Sequence, residues 1–207
     1  MHSLSEVLSP FRGERLIEWF SDLTELWHDT APIKPKDISS PHGLTQWMHY
    51  KNYEIWHLKD KMRRPDTPNE EVVECERLVD HYNRNRMKAI EQLDIWIENV
   101  LMNANIRPGH EIEVNSETPG SIIDRLSIVV LKIFHLQEHD NNSVSDSELK
   151  KQIELRLKIL EEQKTDLAYA LDKLLLDLRQ AKKRHKVYRQ FKIYNDPSFH
   201  PEEYNHK

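Results

Sequence analysis

The segment Thr118-Pro119-Gly120-Ser121-Ile122-Ile123-Asp124-Arg125-Leu126-Ser127-Ile128-Val129-Val130-Leu131-Lys132-Ile133-Phe134-His135 limits the available folds more than any other part of the chain. It opens as a helix start, with a threonine able to cap and a proline at the first helical position. Beyond that start it is apolar on nearly every side, and such a helix is stable only when other elements surround it. Asp124, Arg125, Lys132 and His135 nevertheless lie inside the apolar run. Buried ionisable groups are costly unless paired, and they often mark sites.

The rest of the chain supplies helices to enclose it. There are only four glycines in 207 residues, and 31% of residues are charged. That composition favours helices over tightly turned sheets. Helical spacing of Leu16, Trp19, Phe20, Leu23, Leu26 and Trp27 predicts a helix over 11–29. A proline-rich link follows, then an aromatic, histidine-rich helix over 42–64. Thr67 is expected to cap a third helix, with Pro68 first, Glu70 in a capping box and an end near 103. A fourth helix is expected over 119–139. A fifth should be capped by Ser145 with Glu148 and reach about 185. The link 105–118 is irregular, and strand-like alternation is confined to 110–114. The expected fold is all-α: an up-and-down bundle of five helices, with an irregular tail, 186–207, packed on it. One domain spans 1–207, made of an N-terminal helix and link (1–43), a bundle core (44–185) and the tail.

Charge and composition narrow the function classes. The net charge of −5 disfavours nucleic acid and anionic membranes as partners. The single cysteine, Cys75, forms no intrachain disulfide. There is no signal-peptide pattern at the N-terminus and no apolar run of spanning length, so a soluble cytoplasmic protein is expected.

Three regions carry candidate chemistry. On the fourth helix Asp124, Ile128, Lys132 and His135 are spaced four, four and three, which stacks them on one side, with Arg125 one step round. Lys132 and Arg125 suit an anion, Asp124 an orienting role and His135 proton transfer. The helix start around Gly120 could receive an anion too. The competing explanation is a satisfied buried network that fixes helix register. On the second helix His49, Trp56 and Asp60 share a stripe, flanked by Asn52, Tyr53 and His57, an arrangement that suits a planar or sugar-like ligand. On the third helix Asp80, Asn83, Arg84, Glu91 and Asp94 form a polar stripe expected to face solvent. Arg86 falls in the apolar stripe and should reach inward to an acid.

Metal and nucleic-acid signals are weaker. Glu54-Ile55-Trp56-His57 reads as half of a di-iron motif, but no second copy exists, and Cys75 lacks partners at zinc spacing. No metal site is expected. The basic and aromatic stretch 182–194 could track single-stranded nucleic acid, which the acidic net charge opposes.

Several stretches together resemble one bacterial family, domain of unknown function 4254. They are Trp47-Met48-His49, Trp56-His57-Leu58-Lys59-Asp60, Arg77-Leu78-Val79-Asp80 with Asn83 and Arg86, Ile90-Glu91 with Asp94, residues 115–135, and Lys186 to Pro197. The resemblance implies that His57, Asp60, Asn83, Arg86, Asp124, Arg125, Lys132, Tyr188, Arg189, Asn195 and Asp196 belong to the family pattern. It also implies an association with glycosyltransferases of surface-polysaccharide assembly. The chain departs from the pattern at Lys59, where an acid is expected, and at Glu76, where a base is expected. Such paired reversals suggest two positions in contact with polarity swapped.

The expected function is that of a cytoplasmic helical protein of surface-polysaccharide or lipopolysaccharide metabolism. It would bind an anionic sugar or nucleotide-sugar-type ligand between its helices, with no cofactor assigned and catalysis left open. His57, Asp60, Asp124 and His135 are the acid–base and orienting candidates. His49, Trp56, Asn83, Arg86, Arg125, Lys132, Tyr188, Arg189 and Asn195 are the ligand-binding candidates, with stretch 188–196 folded over them. The alternatives are a non-catalytic adaptor partnering a glycosyltransferase, and nucleic-acid binding by the C-terminal stretch. A homo-oligomer is compatible with either.

Overall fold

The computed structural model describes residues 3–142 and 147–188. Among them are six α-helices: α1 (Leu4–Leu8), α2 (Gly13–Asp29), α3 (Pro41–Met62), α4 (Asn69–Asn103), α5 (Pro119–Asn142) and α6 (Ser147–Arg179). The all-α bundle is as the sequence implies, with one helix more. That helix, α1, begins on a Ser3–Glu6 capping box, a signature present in the sequence but overlooked. No helix is long and apolar enough to cross a membrane, among the described residues.

Helix α5 is the axis, packing against α2, α3, α4 and α6. Its Ile122, Ile123, Leu126, Val129, Val130, Leu131 and Ile133 are all buried. All but Leu131 join one core with Phe11, Leu16 and Phe20 from the N-terminal segment, Leu93 and Ile97 of α4, and Leu171 and Leu174 of α6; Leu131 packs in a second cluster with Trp27, Tyr50 and Tyr53. Close approach of α2 to α6 depends on Gly13, where an added Cβ would lie 2.5 Å from the Ala168 Cα. The Gly13 amide donates to Asp172 of α6 at 2.9 Å, so one acid both caps α2 and ties it to its neighbour.

The caps match expectation unevenly. Thr118 does cap α5, accepting from the Ser121 amide at 3.2 Å. Thr67 does not cap α4: that helix starts after Pro68, and the Thr67 hydroxyl donates to the Lys61 carbonyl instead. Ser145 lies outside the described residues. Helix α6 ends at Arg179, short of 185, because Ala181 adopts φ of 52° and the Lys182 and Lys183 amides turn back to the Asp177 carbonyl. The returning chain then pairs with the 110–114 link through one parallel bridge, Val114 to Arg184. The acid–base contact near the α3–α4 turn is Lys61 with Glu71, rather than Lys59 with Glu76.

Leu126 is wholly buried on the central helix. Leu126→Ala should cost about 2–5 kcal/mol in urea unfolding. Leu155→Ala, on a residue 61% exposed, should stay within about 0.5 kcal/mol. Equal losses would contradict the placement of α5 at the centre.

Candidate functional site

A chain of polar side chains crosses the bundle from α2 to α4, and each proton in it can be placed. The Thr24 hydroxyl donates to the Phe20 carbonyl at 2.7 Å, which uses its only hydrogen. It must therefore accept from His49 Nε2, 3.1 Å away. Burial drives the His49 pKa down to about 3, so the ring is neutral and its Nδ1 is an acceptor. Ser127 donates to that Nδ1 at 2.8 Å. Asn52 donates to the Ser127 oxygen and to Asp124 Oδ1, both at 3.0 Å. The Asn52 carbonyl oxygen then accepts from Arg86 Nη1 at 3.0 Å. Arg86 Nε stands 3.8 Å from Asp124 Oδ1. Burial pushes the Asp124 carboxyl above its usual range, while Arg86 and Asn52 pull it back.

These contacts put His49, Arg86 and Asp124 in one network, with Asn52 and Ser127 as its links. His49 stacks on Phe20 and Trp27 inside the core, so it is a structural member of this network rather than a wall of a ligand site. The other expected members of the α5 stripe separate. At about 100° per residue, His135 lies only about 20° round the helix from Asp124, whereas Lys132 lies about 80° away. Asp124 and His135 are accordingly buried and Lys132 is exposed. Arg125 is also exposed, its guanidinium 2.6 Å from Glu117 Oε1.

The α4 polar stripe does not all face solvent. Asp94 is only 2% exposed, and its Oδ1 accepts from the Gly120 amide at 2.7 Å. The backbone donor expected to receive an anion is thus already taken by an internal carboxylate. Gly120 makes the contact possible, since a Cβ there would stand 2.8 Å from Asp94 Oδ1.

A cleft of about 290 Å³ opens above this point. Ser116, Thr118, Ser121, Asp124 and Arg125 line it from the α5 side and Glu91 and Asp94 from α4. Lys186, Val187 and Tyr188 of the returning chain form its rim. Asn83 sits half-buried on α4 and does not line it. Arg189, Asn195 and Asp196 lie outside the described residues, as does most of the stretch expected to fold over the site.

The opposite half of α5 carries a different cluster. His135 stacks on Trp56 with ring centroids 4.6 Å apart and planes 1° from parallel. His57 and His28 approach the same imidazole. Burial, the larger cause, and neighbouring histidines depress the pKa of His57 and bring that of His135 down to about 4. Asp60 is exposed at the edge of this cluster. Two members of this landscape escaped sequence reasoning. His28, on α2, had no spacing relation to the others. Lys51 is 3% exposed and sits over the rings of Trp47, Tyr50 and Tyr82, the last at 3.7 Å. Burial lowers its pKa to about 8. Trp47, four residues before Lys51, was the available signal.

Residues 43–187 match the family described as protein of unknown function (DUF4254). The chain belongs to that family. The match covers the α3–α6 framework from Gly43 on, the polar network apart from Thr24, and the cleft apart from Tyr188, while His28 precedes it. No curated protein and no solved structure matches the chain.

His49 gives the network a pH signature. Below its ordinary value of 6.5 the unfolded chain takes up a proton that the native ring refuses until about 3. Native stability should therefore be complete above 6.5 and fall as pH drops from there toward about 3. The raised Asp124 carboxyl acts in the opposite sense, adding stability as pH falls toward its unfolded value. His49→Gln should lower the melting temperature at every pH yet flatten its decline between about pH 7 and about pH 5. Parallel declines in variant and wild type would show that His49 does not carry this dependence.

Proposed function

We propose that the protein binds an anionic sugar or nucleotide-sugar-type molecule in the cleft over Asp124, in keeping with a role in surface-polysaccharide metabolism. The observation that carries this reading is the mixture of groups along one concave wall. Arg125 and Lys186 offer positive charge, Ser116, Thr118 and Ser121 offer hydroxyls, and Glu91 and Asp124 offer acceptors. Tyr188, 70% exposed at the rim, offers a ring face. Phosphate or carboxylate pairs with the cations, sugar hydroxyls with the acids and hydroxyls, and a sugar or base face with the tyrosine. The volume, near the lower end of ordinary ligand pockets, suits one phosphorylated sugar unit better than an oligosaccharide.

Asp124 is the acid–base group of this reading. Its internal partners Asn52 and Arg86 meet it at Oδ1, which among the described residues leaves Oδ2 for a ligand. A carboxyl raised by burial can hold or release a proton nearer neutrality than an ordinary one. His57 and His135 stand at the other half of α5 and take no part in this cleft.

A second reading, an adaptor for a glycosyltransferase, draws on a separate feature. An apolar groove of about 410 Å³ runs between α5 and α6 along Trp56, Leu136, Ile159 and Leu160, with Lys132 and Arg156 beside it. Ile159 and the nearby Leu155 of α6 are 56% and 61% exposed.

Thermal-shift screening with sugar phosphates and nucleotide sugars, in the presence of a chelator, separates the two. A ligand at about 100 times its dissociation constant adds about 2.7 kcal/mol, or roughly 5–10 °C for a chain of this size. Arg125→Ala combined with Lys186→Ala changes only exposed residues, so the variant should fold and lose the shift. A shift that survives in the variant would move the site elsewhere. No shift with any compound would leave the adaptor.

A further inference from the structure

The histidines at the far half of α5 lie apart from the cleft and are unused by it. One ring nitrogen from each of His28, His57 and His135 lies within 4.8 Å of the other two. The rings come from α2, α3 and α5, with centroids 5.1 Å, 4.9 Å and 5.3 Å apart. In all three, Nε2 is closed off from solvent and has no hydrogen-bond partner among the described residues. A buried polar atom left unpaired costs about 1–3 kcal/mol, and here three gather in one place.

The other ring nitrogen explains which electrons face inward. His28 Nδ1 stands 2.7 Å from the Thr24 carbonyl oxygen, which can only accept. That nitrogen therefore carries the proton, and in the neutral ring Nε2 carries the lone pair. His135 Nδ1 stands 3.2 Å from a Glu138 carboxylate oxygen, with the same consequence. In their neutral forms the two rings thus direct lone pairs into a shared, dry space, and neither can satisfy the other. A cation resolves the conflict. A carbonyl or carboxylate on the remote nitrogen is also the usual support for a metal-binding histidine, because it holds tautomer and orientation together.

The donor set narrows the cation. Three imidazole nitrogens, with no carboxylate or carbonyl among them, suit a late first-row divalent ion and do not suit calcium or magnesium. We propose that His28, His57 and His135 bind one divalent transition-metal ion of the zinc class through their Nε2 atoms. Tetrahedral zinc with bonds of about 2.0–2.1 Å needs nitrogens about 3.3 Å apart, so the rings close by an ångström or so on binding. Three protein ligands leave the fourth position to water or a substrate atom, the arrangement of catalytic zinc sites rather than structural ones. The charge of Asp60 is felt at both His57 and His135, which favours a cation there and places an acid at the exposed side of the site.

The test uses the full chain, stripped with chelator and titrated with Co²⁺, then with competing Zn²⁺. The expected result is one ion per chain with the visible absorption of a tetrahedral nitrogen site. His57→Gln replaces a half-buried ring and His28→Gln a partly exposed one. Each should weaken Co²⁺ binding by more than about 100-fold, while Glu138→Ala, which removes only a supporting acceptor, should weaken it about 10- to 100-fold. His81→Gln, on an exposed residue of α4, should change nothing. Circular dichroism in chelator establishes that each variant is folded. Absence of stoichiometric Co²⁺ binding by the folded wild type would overturn the proposal. So would unchanged affinity in folded His57→Gln and His28→Gln. Because the cleft screen is run in chelator, failure of one proposal leaves the other standing.

Discussion

Enclosing α5 obliges the protein to solve a hydrogen-bonding problem in its interior. The helix brings Ser127 wholly into a core where water is not available to satisfy it, and Asp124 to the edge of that core, nearly buried. The solution is directional. Once Thr24 spends its hydrogen on its own helix, the tautomer of His49, the hydroxyl of Ser127 and the amide of Asn52 each have one permitted orientation. The row ends on the Arg86 guanidinium. Sliding any of α2, α3, α4 or α5 by one residue would leave several of these groups buried and unpaired, at about 1–3 kcal/mol each. Apolar packing alone tolerates such slips far better. The network therefore specifies register, a use of buried polarity that exceeds its net stabilisation.

The two halves of α5 differ in a way that bears on function. Around Asp124 the links from Thr24 to Arg86 are made, although Arg86 Nε stays unpaired among the described residues, and Asp94 even fills the helix start that an anion could have used. What remains open there is a surface cleft lined by charged and hydroxyl side chains. Around His135 the arrangement is reversed: the remote nitrogens of His28 and His135 are satisfied while the inward ones are not. Folding alone gives no reason to keep three unpaired imidazole nitrogens together. The two regions thus pose separate chemical questions, one about a polar ligand and one about a cation.

Local signals in the sequence were reliable where a residue acts on its own helix. Thr118 capping α5 follows from the threonine–proline pair, and the inward reach of Arg86 follows from its place in an apolar stripe. They failed where a residue answers to a neighbour. Asp94 lies among polar residues of α4 and looked solvated, yet the α5 start descends on it and buries it. Thr67 had the right spacing for a cap, but α4 starts one residue later, after Pro68, and the Thr67 hydroxyl is turned to the Lys61 carbonyl at the end of α3. Spacing by fours and threes grouped Lys132 with His135, although the angular drift of a real helix carries Lys132 out to solvent.

What the sequence determined by itself was the class of fold and the identity of its central helix. Those follow from periodicity and from the need to cover an apolar segment, both properties of a single helix and its composition. The tertiary structure alone decided which polar groups meet. His28, His57 and His135 come from three helices with no spacing in common, and only the packing of α2 and α3 on α5 brings their nitrogens within 4.8 Å. Asn52, Asp124 and Arg86 likewise meet only through the register of three helices. Side-chain convergence depends on the direction and rotation of each helix about its neighbours, and a one-dimensional pattern records neither.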